Sequence, residues 1–388
     1  MKSKKSFRKP ALNQLISRGA VGSVLVMASL LTVQEAQARD GVLVSSSDHF
    51  DVIFSGQVNR ALLLADDGNE TTLLHVDNNN SSSRIRFIAE SKNEGPLTAG
   101  ALYEAEFPIK NSASISQEEV NRDDTDAFNA RHAEVFFGHE GLGKVWLGQG
   151  QTATDGVSQR DLSGTMNAGF SYVSLVGGGI RFRDAATGEL SNTSFGNVSD
   201  NLDGFSRETR LRYDSPEFSN WQLRASLIND GAFDASAFYS SRISDYRVVA
   251  AVGYGNARQL KDSSEYDDQL SGSVSLRHNT GWNYTFAGGI ATAASNGRDN
   301  TSFFYNKLGY RSSLFPGVGG TALSVDWNQT RNEDRNNDVS DTFGVQMAQE
   351  VDVINTEVYA TLRNTSLDRD GSEFDDIWIA MVGARIDF

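Results

Sequence analysis

The sequence predicts an all-β chain of sixteen antiparallel strands closed into a transmembrane barrel. Three observations point there. Short runs of alternating polarity, bounded by Gly, Ser, Asn and Asp, recur through most of the 388 residues. Tight turns alternate with longer polar loops along the chain, as in barrels that keep short turns on one membrane side and long loops on the other. The last run alternates up to the final residue, Phe388.

The chain opens as an export signal. Lys2, Lys4, Lys5, Arg8 and Lys9 form a basic stretch, an apolar stretch follows from about Ala20 to Val33, and Ala36-Gln37-Ala38 offers an A-x-A cleavage site. Residues 1–38 are therefore expected to be a cleaved signal peptide, leaving 39–388 as one barrel domain. Cleavage removes six basic residues and one acid, so Lys+Arg falls from 35 to 29, Asp+Glu from 50 to 49, and the net charge from −15 to −20. So acidic a chain is a poor nucleic-acid binder, because phosphate contacts need clustered positive charge. The absence of Cys excludes disulfide scaffolds, thiolate zinc sites and thiol catalysis.

After the signal no segment approaches 18 consecutive apolar residues. Barrel strands need only about 9–11 residues and offer lipid every second one. The strands are placed near 49–65, 82–93, 97–107, 128–139, 143–150, 205–214, 219–229, 233–241, 244–255, 269–279, 281–293, 301–313, 317–331, 339–349, 352–366 and 375–388. Several alternate cleanly: Trp221, Leu223, Ala225 and Leu227; Leu270, Gly272, Val274 and Leu276; Leu323, Val325 and Trp327; Ile354, Val358, Ala360 and Leu362. In each, the opposite face is polar enough for water. Glu94-Gly95-Pro96, Glu140-Gly141-Leu142, Asp214–Glu217, Thr280 and Leu314-Phe315-Pro316 read as tight turns. Longer loops fall at 66–81, 108–127, 151–204, 256–268, 294–300, 332–338 and 367–374. A propeller would show a repeat near 40–50 residues, and none is present. A sandwich of this length would need linkers between domains, and none is found.

The final strand places Trp378, Ala380, Val382, Ala384, Ile386 and Phe388 on one face. An open sheet edge is not tolerated in lipid, so this strand should pair with the first, whose Phe50, Val52, Phe54 and Val58 share a parity. A terminal aromatic on the apolar parity resembles the signal read by the outer-membrane barrel assembly machinery.

Three further stretches resemble the trimeric general-porin family of Gram-negative bacteria. The first runs Ser83-Arg84-Ile85-Arg86-Phe87 through a turn to Leu97–Tyr103. The second is Ala130-Arg131-His132-Ala133, followed by Phe137-Gly138, Gly141-Leu142-Gly143 and Val145–Gln149. The third is Arg207–Phe218. The resemblance implies a homotrimer in the outer membrane, among lipids and lipopolysaccharide, passing small hydrophilic solutes and ions by passive diffusion. It also implies that the long loop after the fifth strand, 151–204, folds inward and narrows the pore. Arg84, Arg131 and Arg207 match the family's wall arginines, and Arg86 shares the face of Arg84. Among loop acids facing them, Asp155 and Asp161 come first, then Asp184 and Glu189; the Pro-Glu-Phe-like segment frequent in this loop is missing.

Physics bears on these arginines separately. Guanidinium stays charged at any working pH, charge rings set ion preference in pores, and a charge facing lipid at mid-membrane costs about 2–4 kcal/mol. Arg84 and Arg86 lie opposite Ile85 and Phe87, so they should face water. Arg131 shares parity with Ala133, Val135 and Phe137. Either its strand lies in a subunit interface, where outward polarity is relaxed, or the inward assignment fails. Arg207 shares parity with Thr209, and Arg210 and Arg212 lie opposite. The net charge of −20 favours cations, while the arginines would govern the narrowest point.

Three alternatives remain: a channel selective for an anion or a sugar, a non-conducting barrel, and an enzyme. No HExxH or GxSxG motif occurs, and His49, His75, His132, His139 and His278 are scattered, so no enzyme is expected. No cofactor is expected. Asp66-Asp67, Asp77 with Asn78-Asn79-Asn80, and Asp123-Asp124 offer hard oxygen ligands to Ca²⁺, although none matches a Ca²⁺-loop pattern.

Overall fold

The computed structural model describes residues 41–92, 95–118, 128–258, 266–295 and 297–388. The signal segment 1–38, Glu94 and Asp123-Asp124 lie outside the described residues. In chain order the strands are β1 (Val42–Ser46), β2 (Phe50–Asp66), β3 (Thr71–Asp77), β4 (Arg84–Ser91), β5 (Leu97–Glu106), β6 (Asn129–His139) and β7 (Gly143–Gln151). A short hairpin, β8 (Arg181–Arg183) and β9 (Leu190–Ser194), lies within the long connection that follows. Next come β10 (Arg207–Asp214), β11 (Trp221–Ile228), β12 (Phe233–Ile243), β13 (Tyr246–Asn256), β14 (Tyr266–His278) and β15 (Trp282–Ala293). The last are β16 (Thr301–Ser312), β17 (Thr321–Arg331), β18 (Val339–Val351), β19 (Thr356–Asp368) and β20 (Ile377–Asp387).

One antiparallel sheet contains every strand except β8 and β9. It has eighteen strands but sixteen wall positions. β3 and β4 share one position, pairing with the second and first halves of β2. β1 and β20 share another: β20 pairs with Gln57–Asp66, and β1 with the preceding residues of β2. Closure is completed at the C-terminus, where the Gly56 N–H donates to Phe388 O at 2.7 Å and the Phe388 N–H to Gly56 O at 2.9 Å. No strand edge is then left for lipid to desolvate.

Alternation sorts the side chains. Val58, Leu62 and Leu64 of β2, Val325 of β17, Leu362 of β19 and Trp378, Val382 and Ile386 of β20 are exposed on the outer face. Ser271, Ser273 and Ser275 of β14 and Asn328 and Thr330 of β17 are buried on the inner one. Outer aromatic pairs sit near the strand ends on the turn side: Trp221 with Tyr239, Tyr246 with His278, and Trp282 with Tyr310, ring centres 4.8–5.0 Å apart. Such amphipathic rings suit the membrane–water boundary. At the Gly141-Leu142-Gly143 turn, Gly143 has φ +90°, and a Cβ there would meet Asp214 O at 2.2 Å.

The first connection departs from the sequence reading. Residues 66–81 are a short turn followed by β3, not a loop. Leu73 faces outward, while Leu74 and Val76 are buried inside against the long connection. With Leu74 and Val76 on the inner face and Thr71 and His75 on the outer one, the expected apolar-out, polar-in alternation is missing. β1 lies ahead of the first strand the sequence predicts, 49–65.

Placing charge on the outer face tests the parity. Val325→Arg should lower stability by about 2–4 kcal/mol in urea unfolding from lipid vesicles. Ser240→Arg, on an exposed inner position, should change it by less than about 0.5 kcal/mol. Equal costs would contradict the assignment of faces.

Candidate functional site

The interior is built from two parts: a charged arc of wall on β4–β7 and β10, and the connection between Gln151 and Arg207 lying against the rest.

The register fixes the arc. Arg84 and Arg86 of β4 stand opposite Glu106 and Glu104 of β5, on the inner parity. Glu104 is fully buried among three guanidinium groups. Arg86 Nε and Arg131 Nε each donate to it at 2.6 Å, and Arg84 Nη1 lies 3.5 Å away. Arg131 Nη1 reaches Glu106 at 2.6 Å. Arg84 Nη2 also donates to Ser81 Oγ at 2.6 Å.

Arg131 reaches this cluster through a bulge. Glu104 pairs with His132 and Ala105 with Ala130, so Arg131 is an extra residue without a β5 partner. A bulge re-aims a side chain that strict alternation would send outward. This resolves the parity conflict in the sequence and needs no subunit interface.

Beside the cluster, Glu134 bridges His132 Nδ1 and Arg210 Nη2, each at 2.6 Å. Arg212 grips Asp214 with two bonds of 2.9 Å, the bidentate geometry that orients a guanidinium most firmly. Arg207, the first residue of β10, keeps the parity of Thr209, Leu211 and Tyr213. It follows Ser206 at φ +54°, and its guanidinium lies within electrostatic range of Arg131, Asp155, Glu104 and Glu106. Glu104, Glu106 and Glu134 were not singled out in the sequence, yet parity marks Glu104 and Glu106, which alternate with the outward Tyr103.

The connection 152–206 runs round the inner wall from β11 to β20 and is pinned at nearly every strand. The Ala153 N–H donates to Ser226 Oγ at 2.7 Å and Thr154 Oγ1 to Asp234 at 2.6 Å. The Arg160 and Leu162 N–H groups donate to Ser273 and Ser275 at 2.9 and 3.0 Å. Thr165 and Ser324 hydroxyls are 2.7 Å apart, and Asn167 Nδ2 donates to Glu357 at 2.9 Å. Gly253 leaves room for this path, since a Cβ there would meet Thr154 Cγ2 at 2.8 Å. The wall serines thus satisfy backbone N–H groups that would otherwise be buried without partners. Towards the loop end the fit becomes apolar: Val173, Val176, Ile180, Phe182, Phe195 and Val198 pack on Leu63, Leu74, Ile379 and Met381.

The loop acids go to different places. Asp155 is buried near Arg207, with one carboxylate oxygen lacking a hydrogen-bond partner. Asp161 binds Lys307 Nζ at 2.9 Å, and Lys307 also donates to Gly169 O at 2.7 Å. Both side chains are almost fully buried. Asp184 accepts from the Ala186 and Thr187 N–H groups at the tip of the β8–β9 hairpin, and Glu189 is exposed there.

The acids of the first connection do not gather. Asp66 accepts from Thr71 Oγ1 at 2.6 Å, Asp67 from Arg183 at 2.7 Å, and Asp77 from the Ser83 N–H at 3.0 Å. Burial works to raise the Asp67 carboxyl pKa, but the hydrogen bonds from Arg183, Gln117 and two backbone N–H groups outweigh it and bring it down to about 2. Among the described residues no group of three or more His, Cys, Asp or Glu could hold a metal ion. Asp66, Asp67 and Asp77, which the sequence offered to Ca²⁺, form no such group, and each accepts at least one hydrogen bond from the protein.

A closed sixteen-position barrel with an apolar outer face and a charged interior defines an outer-membrane channel. The Gram-negative porin family model matches residues 23–375, and the chain belongs to that family. It is an outer-membrane β-barrel forming a channel for passive diffusion. Solved structures similar to it include an anion-selective porin from Comamonas acidovorans, at 15% identity over 87% of this chain and 100% of that one, with a TM-score of 0.57. OmpT, an outer-membrane protein of Vibrio cholerae, is similar at 13% identity over 89% and 99%, TM-score 0.57. The outer-membrane channel DcaP of Acinetobacter baumannii is similar at 12% identity over 89% and 99%, TM-score 0.54. No curated protein matches the chain.

The buried Lys307–Asp161 pair gives a test of the loop's attachment. Lys307→Met should cost about 3–5 kcal/mol in urea unfolding, because it leaves the buried Asp161 carboxylate without its countercharge. It should also open the segment 152–170 to protease. Resistance equal to the parent would contradict the anchoring role.

Proposed function

We propose that this chain is a homotrimeric diffusion channel whose narrowest point lies between the wall arginines and the long connection. Arg84, Arg86, Arg131 and Arg207 supply the positive side, with Glu104 holding three of them together. Asp155 supplies the facing acid. Asp161 acts on the channel indirectly, by fixing the connection to β16 through Lys307. The observation that carries this reading is that the connection is bonded to the β11–β20 side, which leaves the arginine arc facing it across the lumen. A fixed transverse field in a space of low dielectric orients solutes without binding them tightly.

A homotrimer suits the outer face of β4–β7. Ala89, Ala101 and Ala133 leave a shallow apolar groove there, flanked by Phe87, Val135 and Leu147, which a second copy would cover. One of the similar structures is a trimer form of OmpT. The remaining outer face would meet lipid and lipopolysaccharide, and the strand ending at Phe388 would present the chain to the assembly machinery. No catalytic role is assigned.

Planar-bilayer recording tests this reading. Conductance should rise in steps of three with ohmic current. Arg84→Ala with Arg86→Ala should move the reversal potential in a salt gradient towards cation preference. A protein without conductance would overturn the channel reading, and an unmoved reversal potential would take both arginines out of the narrowest point.

A further inference from the structure

A second group of arginines lies on the other side of the lumen, near the turn end. β12, β13 and β14 are neighbours, and their register places Arg242 opposite Arg247 and Arg247 opposite Arg277. All three share the inner parity, with Val249, Ala251 and Ser275 further along the same face. Arg311 of β16 belongs to the same electrostatic group, since Arg277 feels Arg311, Arg247 and Arg242 together. The level is marked outside by the paired rings of Tyr246 and His278, register neighbours of Arg247 and Arg277.

Like charges directly opposite each other across strands destabilise a sheet. Three in a row on adjacent strands carry that cost twice. Of the acids nearby, Glu350 pairs with Arg311 at 3.3 Å, and Asp245, in the β12–β13 turn, accepts from Asn279 Nδ2 at 3.0 Å. Arg242 Nη1 is steadied by Asn279 Oδ1 at 3.1 Å. Arg242 and Arg247 are exposed and Arg277 is half-buried, so the row stands open to the lumen water.

We propose that the row Arg242–Arg247–Arg277, with Arg311 beside it, is an anion-binding site at the turn-side mouth of the channel, built for oxyanions of more than one charge. Paired strand positions lie about 5 Å apart, so the row offers three guanidinium forks along about 10 Å. One tetrahedral oxyanion can be shared by two forks, and a diphosphate spans all three. Guanidinium suits this task because its planar donors bind phosphate oxygens two at a time. The site would collect anions at the mouth and raise their concentration before the narrowest point. It rests on the channel reading for its role, but its binding can be measured without current.

Inorganic pyrophosphate is the probe. Titrated calorimetrically into the folded protein in detergent, it should bind the parent at least ten-fold more tightly than R242Q/R247Q/R277Q. R277K, which keeps the charge but not the fork, should fall between them. In planar bilayers pyrophosphate should reduce the chloride current of the parent, and that of the triple variant much less. Equal affinity in parent and triple variant, or no binding to the parent, overturns the site. Binding lost in the triple variant without any current in the parent supports the site and overturns the channel reading instead. A triple variant that fails to fold leaves R277K to decide, with unchanged affinity counting against the site.

Discussion

No water reaches the wall of this protein from the lipid side, so every strand must find a neighbour on both edges. That requirement is met at one place, the mutual bonds between Gly56 and Phe388 and the register from Gln57 to Asp66 against β20. Once the ring is closed, parity has physical meaning: even a single charge on the wrong face meets hydrocarbon. The apolar outer face, the outer aromatic pairs and the inward arginines all follow from that constraint. β1 fits the same logic, filling the wall position beyond the end of β20.

Closing the ring creates a second problem, an interior too wide to be filled by wall side chains. The connection 152–206 occupies much of it, by two kinds of chemistry. Towards the turn end it is held by hydrogen bonds from its backbone N–H groups to wall serines and by the buried Lys307–Asp161 pair. Towards the loop end it is held by apolar packing on Leu63, Leu74 and Met381. Both lie on the β11–β20 and β2–β3 side. The arc left facing it carries Arg84, Arg86, Arg131 and Arg210, each tied to a carboxylate. In the proposed channel, an array fixed in this way would stabilise passing charge without reorganising.

The lipid face was the most legible part of the sequence. Leu270 to Leu276 and Trp378 to Phe388 could be assigned from alternation alone, because hydrocarbon accepts only apolar residues. The inner face was less legible. Ser273 and Ser275 looked water-facing, but they receive the backbone of the connection, and hydroxyls serve either partner. β3 was lost because Leu74 and Val76 pack on that same connection, which removed the polar half of its pattern. Arg131 gave a contradictory parity because a bulge is a one-residue slip that no local composition announces. Asp155 and Asp161 differ in role although they lie six residues apart, since only the fold shows that Lys307 stands beside one of them.

In the proposed channel the connection rests against the wall opposite the arginine arc while ions pass. The chain has no cysteine, so a single engineered pair can test it. In a T165C/S324C variant the two side chains replace hydroxyls 2.7 Å apart. Oxidation should close the bond in nearly every molecule, and single-channel conductance should match that of the reduced form. Failure of the bond to form, or a conductance that collapses when it does, would mean that the connection lies elsewhere in the conducting state.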